Sequence, residues 1–150
     1  MNNRTYTTRR MGIVNAIVEH LKKINGQYPY QIDLEERISP RLKFWDEIQE
    51  YPAVHLNAGS ETRIYQGGGY KERYMSLTIR CYVQQEDATS ALEGLMEDIE
   101  TVLEDACYMK YVDRRGNQQA IQKISILRID TDEGVLEPLG VGDIVCEVQY

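Results

Sequence analysis

The chain has 150 residues, 42% hydrophobic and 27% charged, with 24 acidic against 17 basic residues, a net charge of −7 and a mean hydropathy of −0.50. No apolar run long enough to span a bilayer and no Gly-X-Y period occurs, so membrane-spanning and collagen-like classes are excluded, and the ordinary hydrophobic share excludes a fully disordered chain. The length suits one domain that buries about two-thirds of its unfolded surface without disulfide or metal support, and the acidic balance argues against a surface that grips phosphates by counterion release.

Residues 1–10, MNNRTYTTRR, lack the apolar stretch of a signal peptide, which predicts a protein made and used in a cytoplasm. The first periodic segment runs from Thr8 to Ile24 and places Ile13, Val14, Ile17, Val18, Leu21 and Ile24 on one face, the spacing of an amphipathic helix. Asn25-Gly26 follows, with the glycine suited to a left-handed cap. Arg9, Arg10, Lys22 and Lys23 lie off the stripe and read as a solvated face.

From Gln27 to Tyr51 the pattern is irregular, and Pro29 and Pro40 forbid a long helix. A short extended piece is expected near Tyr30–Leu34 and a turn of helix near Lys43–Ile48, carrying Phe44, Trp45 and Ile48. Trp45, the single tryptophan, is a candidate core or interface anchor. After Tyr51-Pro52, one strand is expected at Ala53–Asn57 and a second at Glu61–Tyr65, leading into Gly67, Gly68 and Gly69.

Arg73–Gln84 then shows the clearest strand alternation: Met75, Leu77, Ile79, Cys81 and Val83 on one side, Ser76, Thr78 and Arg80 on the other. Residues 61–84 therefore form a hairpin with a glycine tip. That tip lacks the Gly-Lys-Ser/Thr ending and strand-to-helix context of a phosphate-cradling loop.

A second amphipathic helix is expected over Asp87–Ala106, capped by Asp87, with Ala91, Leu92, Leu95, Ile99, Val102, Leu103 and Ala106 inward. Its outer face is acidic, with Glu93, Glu97, Glu100 and Glu104 at helical spacing and Asp98 and Asp105 beside them. Further strands are expected at Ala120–Asp130 and Asp143–Tyr150, joined by loops Asp113–Gln119 and Thr131–Gly142. The order of elements predicts a single α+β domain: an antiparallel or mixed sheet of about four to six strands, two main helices on one face, and a long hairpin extension.

No catalytic or metal constellation assembles. Neither His20 nor His55 has a partner at metal-ligand spacing. Cys81, Cys107 and Cys146 form no Cys-x-x-Cys pair and are odd in number, which argues against a disulfide scaffold. Asp130-Thr131-Asp132-Glu133-Gly134 imitates the start of a calcium loop, but Val141 stands where a bidentate Glu is required, so the segment reads as a turn. No cofactor, metal or catalytic residue is expected. Eleven Tyr against one Phe and one Trp suit half-buried strands and contact surfaces.

Several blocks together carry a resemblance: Arg10-Met11-Gly12-Ile13-Val14-Asn15-Ala16-Ile17, Phe44-Trp45-Asp46-Glu47-Ile48, Tyr51-Pro52-Ala53-Val54, and Gly59-Ser60-Glu61-Thr62-Arg63 before the glycine turn. Leu77-Thr78-Ile79-Arg80-Cys81-Tyr82-Val83-Gln84, Glu86-Asp87 and the acidic helix continue it. In these blocks the chain resembles the tail terminator, or tail completion, proteins of tailed bacteriophages, the lambda minor tail protein U type. The resemblance implies a structural virion protein without enzyme activity, made in the host cytoplasm and residing at the head-proximal end of the tail. It implies a homo-oligomeric ring, usually a hexamer, that caps the finished tail tube, meets the tail tube protein on one side and a neck or head-completion protein on the other, and lets DNA pass without specific binding. An acidic channel wall would repel that DNA, and Glu93, Glu97, Glu100, Glu104, Asp132 and Glu133 are the candidates for it. Ring closure needs two unlike surfaces. The candidates for contacts are Trp45, Tyr65, Gly67, Gly68, Gly69, Tyr70, Tyr74, Arg80, Tyr82 and Tyr150. Two alternatives stand beside this reading: another phage neck or head-completion connector of similar architecture, and a small cytoplasmic α+β binding protein or dimeric enzyme unrelated to phages.

Overall fold

A computed structural model describes residues 7–43 and 45–150, with Trp45 described by its backbone alone. Helix α1 spans Arg9–Leu21. The Thr8 hydroxyl accepts the Met11 N–H and so occupies one of the donors that the first helical turn leaves open. The predicted stripe is inward, with Ile13, Val14, Ile17, Val18 and Leu21 buried. The helix stops three residues earlier than expected, because the Lys23 and Ile24 N–H groups bond only three residues back, to His20 and Leu21. Gly26 does adopt a positive φ of 77°, but in the turn that brings Asn25 beside Asp33 and not as the helix cap.

The extended piece expected at Tyr30–Leu34 does not become a strand. Its Gln31 and Ile32 N–H groups are taken by the carboxylate of Asp98, at 3.0 and 2.8 Å, and so cannot enter a ladder. A two-residue strand that the sequence did not signal, β1 (Ile38–Ser39), instead runs parallel to β2 (Ala53–Tyr65). Between them Trp45–Glu47 forms a 3-10 turn, as the Lys43–Ile48 segment suggested. Phe44 and the side chain of Trp45 lie outside the described residues.

The two strands expected at 53–57 and 61–65 are one strand, β2, with a bulge between Ala58 and Glu61 that absorbs Gly59 and Ser60. A bulge keeps the ladder continuous while bending it. β2 pairs antiparallel with β3 (Lys71–Gln84), so the hairpin is longer than expected and starts at Ala53. Helix α2 (Ala88–Asp105) follows, its N-terminus capped by Asp87 accepting from Ser90 N–H.

Beyond α2 the expected 113–119 loop is the turn of a small two-stranded sheet, β4 (Lys110–Val112) and β5 (Gln118–Ala120). The Asp113 carboxylate builds that turn by accepting the Arg115 and Asn117 N–H groups. The strand expected at Ala120–Asp130 is thereby split. Ile121 N–H bonds back to Met109, and β6 begins only at Lys123, running to Thr131. β7 spans Leu139–Gln149 and starts earlier than expected.

The main sheet has the order β1-β2-β3-β7-β6, mixed only through the parallel β1–β2 pair. Both helices lay their apolar stripes on one face of it. Met75, Leu77 and Ile79 of β3, Ile144, Cys146 and Val148 of β7, and Val54 and Leu56 of β2 join Ile13, Ile17, Leu95 and Ile99 in one cluster. Each fully buried Leu, Ile or Met there contributes about 2 kcal/mol relative to exposure. α1 sits so close to β4 that a Cβ at Gly12 would lie 2.5 Å from the Val112 carbonyl oxygen, which restricts that position to glycine.

Candidate assembly surfaces

The outer half of the β2–β3 hairpin leaves the helix-covered layer as an arm. Residues 62–70 are all exposed, and Ile64, Tyr65 and Tyr70 present 49%, 71% and 75% of their surface. The tip is closed by Gln66 N–H donating to the Tyr70 carbonyl at 2.8 Å. Gly68 and Gly69 stand at φ 78° and 82°, which glycine adopts without the steric cost other residues incur. Lys71 Nζ lies 5.7 Å over the Tyr65 ring.

The arm's root is held by the C-terminus of the chain. Tyr150 exchanges backbone hydrogen bonds with Arg73, its hydroxyl donates to Glu61, and the Arg73 guanidinium lies 5.5 Å over its ring. The Tyr111 ring meets Tyr150 edge-on at 6.4 Å. Arg10 of α1 donates to the Gly59 carbonyl in the bulge, and Arg63 Nε donates to Glu61 at 2.6 Å. Burial pushes the Tyr150 phenol up to about 12, assisted by its bond to Glu61. Burial alone would raise Glu61, but the Tyr150 and Arg63 hydrogen bonds outweigh it and hold this carboxyl below its ordinary value. Tyr74, one turn of the pleat further on, donates to Glu72 at 2.8 Å.

On the sheet face away from the helices, Arg80 makes a two-pronged cross-strand pair with Asp143, at 2.8 and 3.2 Å. Tyr82 is buried, its ring 5.0 Å from that of His55. Residues 36–41, 43 and 47–50 lie over this end of the sheet and, with Ala53 and His55, line an open cleft of about 550 Å³. Burial first, then the Lys43 and Arg80 charges, lower the pKa of His55, so it sits there neutral and its Nδ1 faces the Lys43 N–H at 3.4 Å. Arg80 and Tyr74 thus remain reachable from outside, whereas Tyr82 is covered within its own chain.

The acidic candidates divide. Glu93, Glu97 and Glu104 are exposed and Glu100 is half-buried along α2, but Asp98, which the sequence placed beside them, turns inward and is 1% exposed. Its carboxylate is spent on the Gln31 and Ile32 backbone. The signal was present: Asp98 lies three residues after Leu95 and four before Val102, on the side of the apolar stripe. Asp132 is half-buried and accepts the Gly134 N–H, while Glu133 is exposed at φ 56°, so the calcium-like segment is a turn.

Cys81 and Cys146 offer no reactive thiolate: burial pushes the Cys146 thiol up to about 12 and that of Cys81 up as well. Among the described residues no three His, Cys, Asp or Glu side chains converge as metal ligands would. What this arrangement provides is exposed surface: an aromatic, glycine-tipped arm braced at its root, and a helix with an acidic outer face. Glu61 and Arg73 were not singled out by sequence, because only the strand register brings them to Tyr150, and Arg10, expected on a solvated face, is half-buried where α1 meets the bulge at Gly59.

The family described as Bacteriophage Tail Tube Terminator Protein matches residues 7–150 of the chain. A curated relative, the tail tube terminator protein p142 of Escherichia phage T5, is 30% identical over 149 residues, covering 94% of this chain and 92% of that protein.

Proposed function

The chain belongs to the bacteriophage tail tube terminator family, and on that premise we propose that it ends tail tube growth by closing as a homo-oligomeric ring, a hexamer, on the head-proximal end of the finished tube. The role is structural, and its residence is the virion tail after synthesis in the host cytoplasm. The family match over nearly the whole chain carries the reading, since it takes in both the helix-covered sheet and the arm.

In the ring, the arm serves one subunit contact. Tyr65, Tyr70 and the Gly67–Gly69 tip reach the neighbour, Tyr74 and Tyr150 form the surface at its base, and Arg80 and the Trp45 turn extend the contact further along the sheet. Aromatic side chains with low conformational freedom favour such contacts. The opposite side of the ring receives a neck or head-completion protein. Glu93, Glu97, Glu100 and Glu104 of α2 face the channel, where like charge keeps passing DNA from adhering.

The test uses the intact chain with purified tail tubes, viewed by negative-stain microscopy. Capped tubes of constant length support the reading. A chain that ignores tubes overturns it, and deletion of Gly67–Tyr70 that leaves capping untouched overturns the role of the arm.

A further inference from the structure

A basic cleft and an acidic turn lie at opposite ends of the main sheet. β3 and β7 pair over eleven positions, from Tyr74↔Gln149 to Gln84↔Leu139, a ladder of roughly 35 Å. At the Tyr74 end, a cleft of about 520 Å³ opens between the start of α1 and the β4–β5 turn, lined by Arg9, Arg73, Arg114 and Arg115. Among the described residues none of these four arginines enters an ion pair. Arg73 Nε is buried without a hydrogen-bond partner. The acid within the cleft, Asp113, is committed to the Arg115 and Asn117 N–H groups and the Gln119 side chain. Beside it, sharing Thr7, runs a second groove of about 590 Å³ with an apolar floor of Ala16, Tyr111 and Val112.

At the Gln84 end, the β6–β7 turn carries the complementary pattern. Val135 at its apex is 81% exposed and Leu136 42%, between the exposed carboxylates of Glu133 and Glu137. The turn is already ordered, by Val135 N–H to Asp132 at 3.0 Å, Leu139 N–H to Leu136 at 2.9 Å and the Thr89 hydroxyl to Glu137 at 3.1 Å. A preordered loop loses little freedom on docking.

We propose that the Asp132–Glu137 turn of one copy of this chain seats in the arginine cleft of the next, with Val135 and Leu136 over the Ala16–Val112 groove and Glu133 and Glu137 against Arg9, Arg114 and Arg115. Within one chain the two surfaces lie at opposite ends of the ladder, so the contact forms only between copies. It is heterologous, the kind that closes a ring. The proposal rests on the ring reading above and supplies its second surface, and it assigns Asp132 and Glu133 to a subunit contact in place of the channel wall. The α2 glutamates are the weaker match for the cleft, because among the described residues of α2 itself no large apolar side chain is exposed beside them.

The experiment is charge exchange in the intact chain, read by sedimentation velocity and by imaging on tail tubes, with circular dichroism as the folding control. Arg114→Glu with Arg115→Glu, and separately Glu133→Lys with Glu137→Lys, each weaken self-association about tenfold or more, and all four together restore it to within about threefold. Rings that persist in both double variants, or a quadruple variant that stays as weak as the doubles, overturn the proposal and leave the ring reading standing. A wild-type chain that is monomeric both free and on tubes overturns both. A cleft variant that still forms rings but no longer binds tubes, or no longer retains a short DNA duplex, gives the cleft to the tube protein or to phosphate and overturns the second-copy assignment.

Discussion

The β2–β3 ladder is one continuous hairpin with two unlike halves. From Ala53 to Ala58 and Leu77 to Gln84 it is part of the sheet, clamped by β7 on one edge and covered by both helices. From Glu61 to Tyr74 it is an arm whose side chains are largely exposed and whose root is fixed by Tyr150 and the end of β7. The same backbone pairing therefore carries buried core in one half and exposed surface in the other. A side chain's effect depends on which half it occupies more than on its chemistry.

The sharpest way to break that contrast compares two isoleucines of the hairpin. Ile79→Ala empties a fully buried position and costs about 3–4 kcal/mol of stability in urea titration. Ile64→Ala, from a side chain 49% exposed on the arm, costs within about 0.5 kcal/mol. Tube capping reverses the order: at a temperature where both variants are folded, the Ile64 variant is the weaker cap. Equal stability losses would dissolve the distinction between body and arm.

Next in size is Asp98. Asp98→Ala leaves the Gln31 and Ile32 N–H groups buried without their acceptor, a loss of about 2–3 kcal/mol. Asp98→Asn keeps one acceptor oxygen and recovers part of it. Thermal unfolding of the two variants checks this, and Glu97→Ala, on the exposed side of the same helix, is the control expected to change little.

These two tests also mark what sequence could and could not disclose. The alternation of Met75, Leu77, Ile79, Cys81 and Val83, the stripe from Ala91 to Leu103 and the Asp87 cap are local patterns, and the structure follows them. The departures arise where a distant partner decides. Asp98 diverts the 31–32 backbone from forming a strand, Asp113 folds the 113–119 loop into a hairpin, and Val54 draws in β1. Of the candidate surfaces, the exposure of the tyrosines and glycines at the tip was legible because it follows from composition. The bracing group of Arg10, Glu61, Arg73 and Tyr150 spans 140 residues of sequence and becomes visible only with the strand register and the packing of α1 on the bulge.

Tyr150→Phe tests the fixed point of the arm. It removes the donor to Glu61, whose side chain is nearly buried, for about 1–2 kcal/mol locally. Because the arm contributes little to the core, hydrogen exchange should quicken at residues 61–73 more than in β7. Uniform quickening would mean that arm and body unfold as one.

The smallest effect separates the halves by pH. His55 lies in the body, buried and with its pKa lowered, so the folded state favours the neutral ring. The unfolded chain takes up the proton first as pH falls past about 6.5, and the stabilisation present above that value is lost as pH falls toward the folded pKa. From pH 7.5 to 5.5 the loss from this group is at most about 1.4 kcal/mol. His55→Asn retains an acceptor for the Lys43 N–H without a titrating ring, and its melting temperature should fall less over that interval, the remainder including His20, whose pKa burial also lowers. In the arm the sign is shared but the window is lower. Glu61 is held below its ordinary value, so its bond to Tyr150 survives until pH falls below about 4.5, through the folded-state pKa. At pH 5.5 exchange should therefore quicken around His55 while residues 61–73 keep their protection, and an arm that loosens first would place the weaker fixture at Tyr150.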